Sequence, residues 1–495
     1  MWRWEIPTVS SSLRDLRVHK LIPGSEELVF GEIIKSLNNI IGSRLPRFLD
    51  LFVDAVERRK NEIEAAFGRG ELGSINKGIE ERFRSLWLDF SEFQSTDPFK
   101  IVLASDSSFL SKEYAPGTSI LLARAAAVLY GPEGSMKEER ILDLRPLIGS
   151  TEVRDVISRM GETLEHDVLR RVIETTGGEF LVLIDGSLIA RELASVYNLG
   201  RIPAELAVQY TTALFQLFET CRERKIPIVG ISKDSRAYPL RKMVLFQMLD
   251  EELERISGLI SEVDQIIVSS TVGALESDPK TSMAQLIDLN EKYKGILRKI
   301  LEIASEILIE RSDFAVIMSC IQEKGLSEPL LVGPYTPTSK ALFLELQARP
   351  DDIARRATRK AENPIKAERE VRRAIDLILG LPAIVTTCCK FSEKDQPVRV
   401  DIPSWVFGLD FMVADFEGVH ALRTYDYDRS IFPKIITTLI KGYANSENHN
   451  VWLADVDRLV KISRKAFDEI YEPLLWSRLG WMELHTRGER RVSII

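Results

Sequence analysis

Two aspartates stand inside apolar, strand-like runs, and each is followed by small residues. One is Asp106, in Ile101-Val-Leu-Ala-Ser-Asp-Ser-Ser-Phe109, and the other is Asp185, in Phe180-Leu-Val-Leu-Ile-Asp-Gly-Ser-Leu188. A strand interior seldom holds a charge, because burying an unpaired carboxylate costs several kcal/mol. A divalent cation is a partner that can engage two such carboxylates at once. Either aspartate alone reads equally well as a turn or helix-cap residue. The pair together restricts the fold to one that brings two strand-borne carboxylates side by side.

The surrounding pattern is that of an α/β protein. Leu45, Phe48, Leu49, Phe52 and Val56 recur at helical spacing after Pro46, and a further helix is expected from Ile79 to Phe93, so residues 1–98 read as a helical N-terminal region. Strands are expected at 101–104, 118–130 and 140–144, followed by a helix over 153–175 that Gly177 and Gly178 terminate. A strand at 180–185, a helix at 203–223 and a strand at 228–232 complete a first core segment, 99–240. Residues 241–380 read as a helical insertion ending in one charged helix over 351–376. Residues 381–495 return to strands at 383–391, 398–402 and around 411–422, and then to helices over 430–475.

The order carries chemistry. In a ribonuclease H-like core, a mixed sheet flanked by helices, an Asp on the first strand, a Glu on the first helix and an Asp on the fourth strand converge on two metal ions. Two ions roughly 3.5–4 Å apart activate water and stabilise the leaving oxygen of a phosphodiester. Here the helix before Asp185 offers Glu162, Glu165 and Glu174. Glu165 has the better spacing, and Glu162, three residues earlier on the same helix face, is the alternative.

Three segments in this order, Ala104-Ser-Asp-Ser-Ser108, Val182-Leu-Ile-Asp-Gly-Ser-Leu188 and Val229-Gly-Ile-Ser-Lys-Asp-Ser235, resemble the NurA nuclease family. Weaker matches are Ser312-Asp-Phe-Ala-Val-Ile-Met318, Pro397-Val-Arg-Val-Asp-Ile-Pro403 and Ala454-Asp-Val-Asp-Arg-Leu-Val-Lys-Ile-Ser463. The resemblance spans about 100–475. It implies manganese-dependent cleavage of DNA (magnesium being the other candidate ion), with two ions per site. It implies exo- and endonuclease action in double-strand break end resection, a homodimer, and partnership with a HerA-type hexameric ATPase. Carried over by position, Asp106, Glu165 and Asp185 match metal ligands, and Asp313 matches a further acidic site residue. Family members often carry His in the last helix where this chain has Asp457, with Asp455 as a neighbouring alternative. Asp ligates the same hard metals as His but cannot supply an imidazole that titrates.

Other residues were weighed for contact with nucleic acid. Lys233, after a strand, suits a phosphate contact, or else an exposed lysine paired with Asp234; Arg236 would help hold the backbone. Arg355 and Arg356 open the densest basic cluster, which either grips phosphates or is a solvated helix face. Phe109 and Tyr114 could stack on bases, although core packing is the expected fate of Phe109. Trp2 and Trp4 suit interface anchors.

With net charge -8, any nucleic-acid binding must come from a local patch. No apolar run of membrane-spanning length, signal-like N-terminus or Cys-x-x-Cys pair occurs, and the reading is a cytoplasmic protein with no structural zinc and no membrane contact. Cys388 and Cys389 are expected on opposite faces of one strand. No Walker motif and no Gly-x-Ser-x-Gly elbow occur, so ATP hydrolysis and the commonest serine hydrolase chemistry are excluded. Two other readings stay open: a catalytically degenerate DNA-binding adaptor, and a ribonuclease H-like enzyme acting on RNA or in strand transfer.

Overall fold

The computed structural model describes residues 46–61, 76–114, 117–149, 152–233, 235–309 and 311–480. Trp2, Trp4 and Asp234 lie outside them. The chain divides into two units, Met1–Ser74 and Ile75–Ile495. In the first, helix α1 (Pro46–Arg58) begins at the proline that suits a first helical turn.

The second unit is built on a mixed sheet, eleven-stranded among the described residues. Helix α2 (Lys77–Ser85) and strand β1 (Trp87–Leu88) lead into it. The expected helix to Phe93 stops at Ser85 because the chain turns into β1, after which Asp89 caps a short 3-10 turn at Phe90–Phe93. Strands β2 (Val102–Glu113), β3 (Thr118–Gly131) and β4 (Gly134–Ile148) form an antiparallel meander. Helix α3 (Val153–Thr175) has the expected bounds, and it crosses to β5 (Leu181–Asp185). Helices α4 (Leu188–Tyr197) and α5 (Ala204–Glu223) then lead to β6 (Ile228–Ser232). β2, β5 and β6 are parallel neighbours, which gives the order β4-β3-β2-β5-β6. A three-strand meander continued by two parallel strands is the arrangement expected of a ribonuclease H-like core.

Four helices follow: α6 (Pro239–Ile256), α7 (Glu262–Ala274), α8 (Pro279–Lys292) and α9 (Arg298–Ile307). Next come α10 (Asp313–Cys320), the short strands β7 (Gly325–Ser327) and β8 (Leu330–Val332), and α11 (Pro337–Ala348). The charged segment at 351–376 is two helices, α12 (Pro350–Ala357) and α13 (Pro364–Leu379). Pro364 is the reason: its ring clashes with a preceding helical turn but suits the first turn of a new helix. β10 (Val398–Pro403) pairs antiparallel with β6, and β9 (Ile384–Lys390) pairs antiparallel with β10, so the sheet extends beyond β6. Of the stretch around 411–422, only β11 (Val419–Ala421) is strand, paired with β8. Helices α14 (Ile431–Gly442), α15 (Val451–Val460) and α16 (Glu472–Leu479) come last among the described residues. No described helix is long and apolar enough to cross a membrane.

The sheet is apolar on both faces. One core holds Leu103, Val182 and Ile184 with Leu164, Val168 and Leu169 of α3. The other holds Val102, Ala104, Leu181 and Leu183 with Ile435 of α14 and Val456 of α15. Cys388 and Cys389 point to opposite cores as expected, and all four cysteines are buried and unbridged.

Candidate active site

β5 is shorter than β2, and that mismatch makes the site. The parallel pairing ends at Ser105 opposite Ile184, so Asp106 and Asp185 are the next residues on adjacent strands and share a face. β5 ends there because Gly186 adopts φ +109, a left-handed conformation that a Cβ disfavours, and Ser187 caps α4 through Ala190 N at 3.0 Å. The turn lies tight on the next strand: a Cβ on Gly230 would stand 2.7 Å from the Gly186 carbonyl. β2, paired with β3, continues to Glu113. Beside Asp106 the sheet therefore has a notch at the carboxyl end of β5.

Strand alternation sorts the neighbours. Ser105 and Ser107 face α3. The Ser105 hydroxyl donates to Glu165 Oε1 at 2.9 Å, and a Cβ on Gly161 would come within 3.2 Å of Ser107 Oγ. Asp106 and Ser108 face the other way, toward the end of α15, where Ile462 N donates to Ser108 Oγ at 3.2 Å. Asp106 is pushed up to about 8, first by burial, then by Glu165 and Asp185, and more weakly by Asp457. Carboxylates from β5, α3 and α15 thus all act on Asp106 of β2 at the notch.

Each has its own setting. Glu165 is 1% exposed. Burial pushes its carboxyl up, while Arg191 and Ser105 pull it back. Glu162, the alternative, is ion-paired with Arg159. Asp185 is paired through Oδ2 with Lys233 Nζ at 3.1 Å, so the lysine's partner is the candidate ligand itself. Asp457 and Asp455 lie on exposed faces of α15, but Asp455 accepts a hydrogen bond from Tyr130 at 2.8 Å. Arg124 of β3 donates to the carbonyls of Val460 and Lys461, holding the carboxyl end of α15 against the meander.

Asp313 is placed differently. Its oxygens accept from the amides of Leu240 at 3.0 Å and Arg241 at 2.7 Å, in the first turn of α6. Burial pushes it up to about 7 against the pull of those amides. That placement is a helix cap rather than an open ligand. Arg236 is exposed. Arg355 pairs with Asp352 and Arg356 with Glu345, as on a solvated face. Phe109, expected in the core, is 41% exposed, because it lies on the part of β2 that outruns β5; Tyr114 is 2% exposed.

Two residues not singled out in the sequence shape the notch. Asp401 of β10, fully buried, accepts from Ser187 Oγ and Thr386 Oγ1, both at 2.7 Å, which ties the β5–α4 turn to the sheet. Arg191 of α4 reaches Glu165. The available signal was the adjacent pair Arg191-Glu192 within an otherwise apolar helix, Leu188-Ile-Ala190 before it and Leu193-Ala194 after.

Hard carboxylate oxygens on neighbouring strands are the donor chemistry that manganese or magnesium takes. As placed, Glu165 and Asp185 each have an oxygen on a cation of the chain. Among the described residues no three His, Cys, Asp or Glu side chains converge on a common ion position. The chemistry of the donor set, rather than its present arrangement, is what a divalent ion fits.

A family model, the NurA domain, matches residues 100–462. Among solved structures the chain is similar to the NurA nuclease from Sulfolobus solfataricus, at 13% identity over 89% of this chain and 98% of that one, with a TM-score of 0.46. It is also similar to a structure of NurA with manganese, at 14% identity over 87% of this chain and 98% of that one, with a TM-score of 0.35. A structure of NurA bound to dAMP and manganese is 14% identical over 87% of this chain and 95% of that one, with a TM-score of 0.32. No curated protein matches.

Proposed function

The chain belongs to the NurA family, and from that premise we propose that it is a metal-dependent DNA nuclease. The observation that carries the reading is the pair Asp106 and Asp185, side by side where β5 ends, with Glu165 and Asp457 acting on the same point. Asp106, Asp185 and Glu165 would hold manganese, with magnesium the alternative, and Asp457 would complete the set from α15. When bound, a pair of such ions supplies a water of lowered pKa and stabilises the departing oxygen of a phosphodiester. Lys233, on Asp185, is placed to take a non-bridging phosphate oxygen as a point charge. Exposed Arg236, three residues on, suits the adjacent phosphate. Asp313 shapes the site indirectly, by holding α6.

The finer reading is cleavage of single- and double-stranded DNA ends, by exo- and endonuclease action, in double-strand break resection. It includes a homodimer working in the cytoplasm with a HerA-type hexameric ATPase. A separate motor suits a chain without a Walker motif. The test is cleavage of labelled single-stranded and blunt duplex DNA with manganese and with chelator. Cleavage that survives in chelator sinks the metal-dependent reading.

The adaptor reading has one observation on its side: Glu165 and Asp185 are already held by Arg191 and Lys233. Calorimetric titration with manganese separates the two. A degenerate site takes up no manganese in the micromolar range, and a nuclease site does.

A further inference from the structure

Arg191 is a buried cation placed among the carboxylates. The residue is 5% exposed. Nη2 donates to Glu165 Oε2 at 2.7 Å and to the main-chain carbonyl of Asp185 at 3.0 Å. Nη1 donates to His166 Nε2 at 2.8 Å. A guanidinium has no acceptor atom, so Nε2 accepts and the ring proton sits on Nδ1. The helix carrying Arg191 is itself fixed: Tyr210 donates to the Arg191 carbonyl at 2.9 Å, and Ser187 at the helix start is bound by Asp401.

Burying a charge at this depth is unfavourable unless several good acceptors surround it. The three acceptors come from two different elements of the site: Glu165 and His166 from α3, and the Asp185 carbonyl from the end of β5. One rigid planar group thus sets the distance between the helix that carries one carboxylate and the strand end that carries another. We propose that Arg191 is a positioning residue of the nuclease site, a resident cation that fixes Glu165 relative to Asp185. The inference rests on the nuclease reading above. Arg191 contributes both a charge and a fork. Lysine keeps the charge but is a single point donor that cannot span three acceptors. Methionine keeps neither. Losing the hold on a ligand carboxylate also loosens metal binding, because a partner that orients a ligand contributes to metal affinity.

The experiment measures kcat and KM on a labelled oligonucleotide, manganese binding by calorimetry, and melting, for Arg191→Lys, Arg191→Met, Glu165→Gln and the Arg191→Met/Glu165→Gln double variant. The expected kcat loss is about 100-fold in both Arg191 variants, the scale of a displaced catalytic group. KM stays within about threefold, since a buried side chain does not touch DNA. The double variant is no slower than the slower single variant, because the two residues act as one unit. Manganese binds Arg191→Met about tenfold more weakly than the parent. The inference is overturned by any one of four results: kcat within about threefold of the parent in either Arg191 variant, a loss carried by KM, losses that multiply in the double variant, or manganese binding to Arg191→Met as tight as to the parent.

Where both Arg191 variants lose cooperative melting, Ser105→Ala decides. It removes the other hold on Glu165, and a fall in kcat of about tenfold with unchanged melting supports the inference, whereas an unchanged kcat overturns it. A parent protein that cleaves DNA with manganese but is indifferent to these changes sinks the positioning role alone. A parent that neither cleaves nor binds manganese sinks the nuclease reading and the inference together.

Discussion

Glu165 and Asp313 are both helix-borne carboxylates, 1% and 2% exposed, and burial pushes both upward. Their surroundings differ in kind. Asp313 faces two main-chain amides at the start of α6, a helix whose own N-cap residue, Tyr238, makes no side-chain cap hydrogen bond. The tie is reciprocal, since Asp313 N donates to the Ala237 carbonyl at 3.1 Å. Glu165 faces a guanidinium and a hydroxyl, and its charge is felt by Asp106. A carboxylate satisfied by amides fixes backbone, and turning it away leaves buried donors unpaired. A carboxylate satisfied by a side-chain cation, with its charge felt by other carboxylates, belongs to a charged cluster that a metal ion can join. Burial alone does not separate the two roles; the identity of the partner does.

That contrast can be broken by mutation. The largest effect is expected at the notch: Asp106→Asn or Asp185→Asn lowers manganese-dependent cleavage by about 1000-fold or more without loss of melting stability. Full cleavage by either variant would end the assignment. Asp313→Asn is the counterpart on the other side of the comparison. It costs about 2 kcal/mol of stability by unpairing the amides of Leu240 and Arg241, read as a lower denaturant midpoint. Cleavage by the folded fraction stays within a fewfold. Lost cleavage at undiminished stability would move Asp313 into the site.

A smaller effect distinguishes the two aspartates of α15. Asp457→Asn slows cleavage by about tenfold, and Asp455→Asn, which disturbs only the Tyr130 contact, leaves single-turnover rates unchanged. Equal losses would mean that neither is specific. The smallest effect is a pH dependence of stability in chelator. Asp106 is pushed up to about 8 in the folded chain, above its unfolded value near 4. Its protonation therefore stabilises the fold fully below about 4, and that contribution is lost as pH rises through about 8. The parent's melting temperature should fall over this window relative to Asp106→Asn, and parallel curves would contradict the shift.

Much of this was legible in the chain. Helix α3 matches its expected bounds, and β5 and β6 follow from short apolar runs. Asp106 and Asp185 stood out because a charge in such a run needs a partner, and Glu165 was preferred on spacing alone. The apolar run marks β2 only over 101–104, since the polar run from Ser105 to Ser108 resembles a turn; pairing with β3 keeps it extended to Glu113. The periodicity of the charged stretch at 351–376 suits one helix because it passes through Pro364, while the backbone cannot.

What the sequence by itself determined is the local part: which segments are apolar, where helices start, and that two strand ends carry acids. Those follow from periodicity, caps and breakers, each decided within a few residues of chain. Only the tertiary structure decided what each acid meets. Arg191 reaches Glu165 across 26 residues, Asp313 reaches Leu240 across 73, and Arg124 holds the end of α15 across 336. Electrostatic and hydrogen-bond energies depend on distance in space. The fate of a buried carboxylate is therefore settled by which distant donor the fold brings to it.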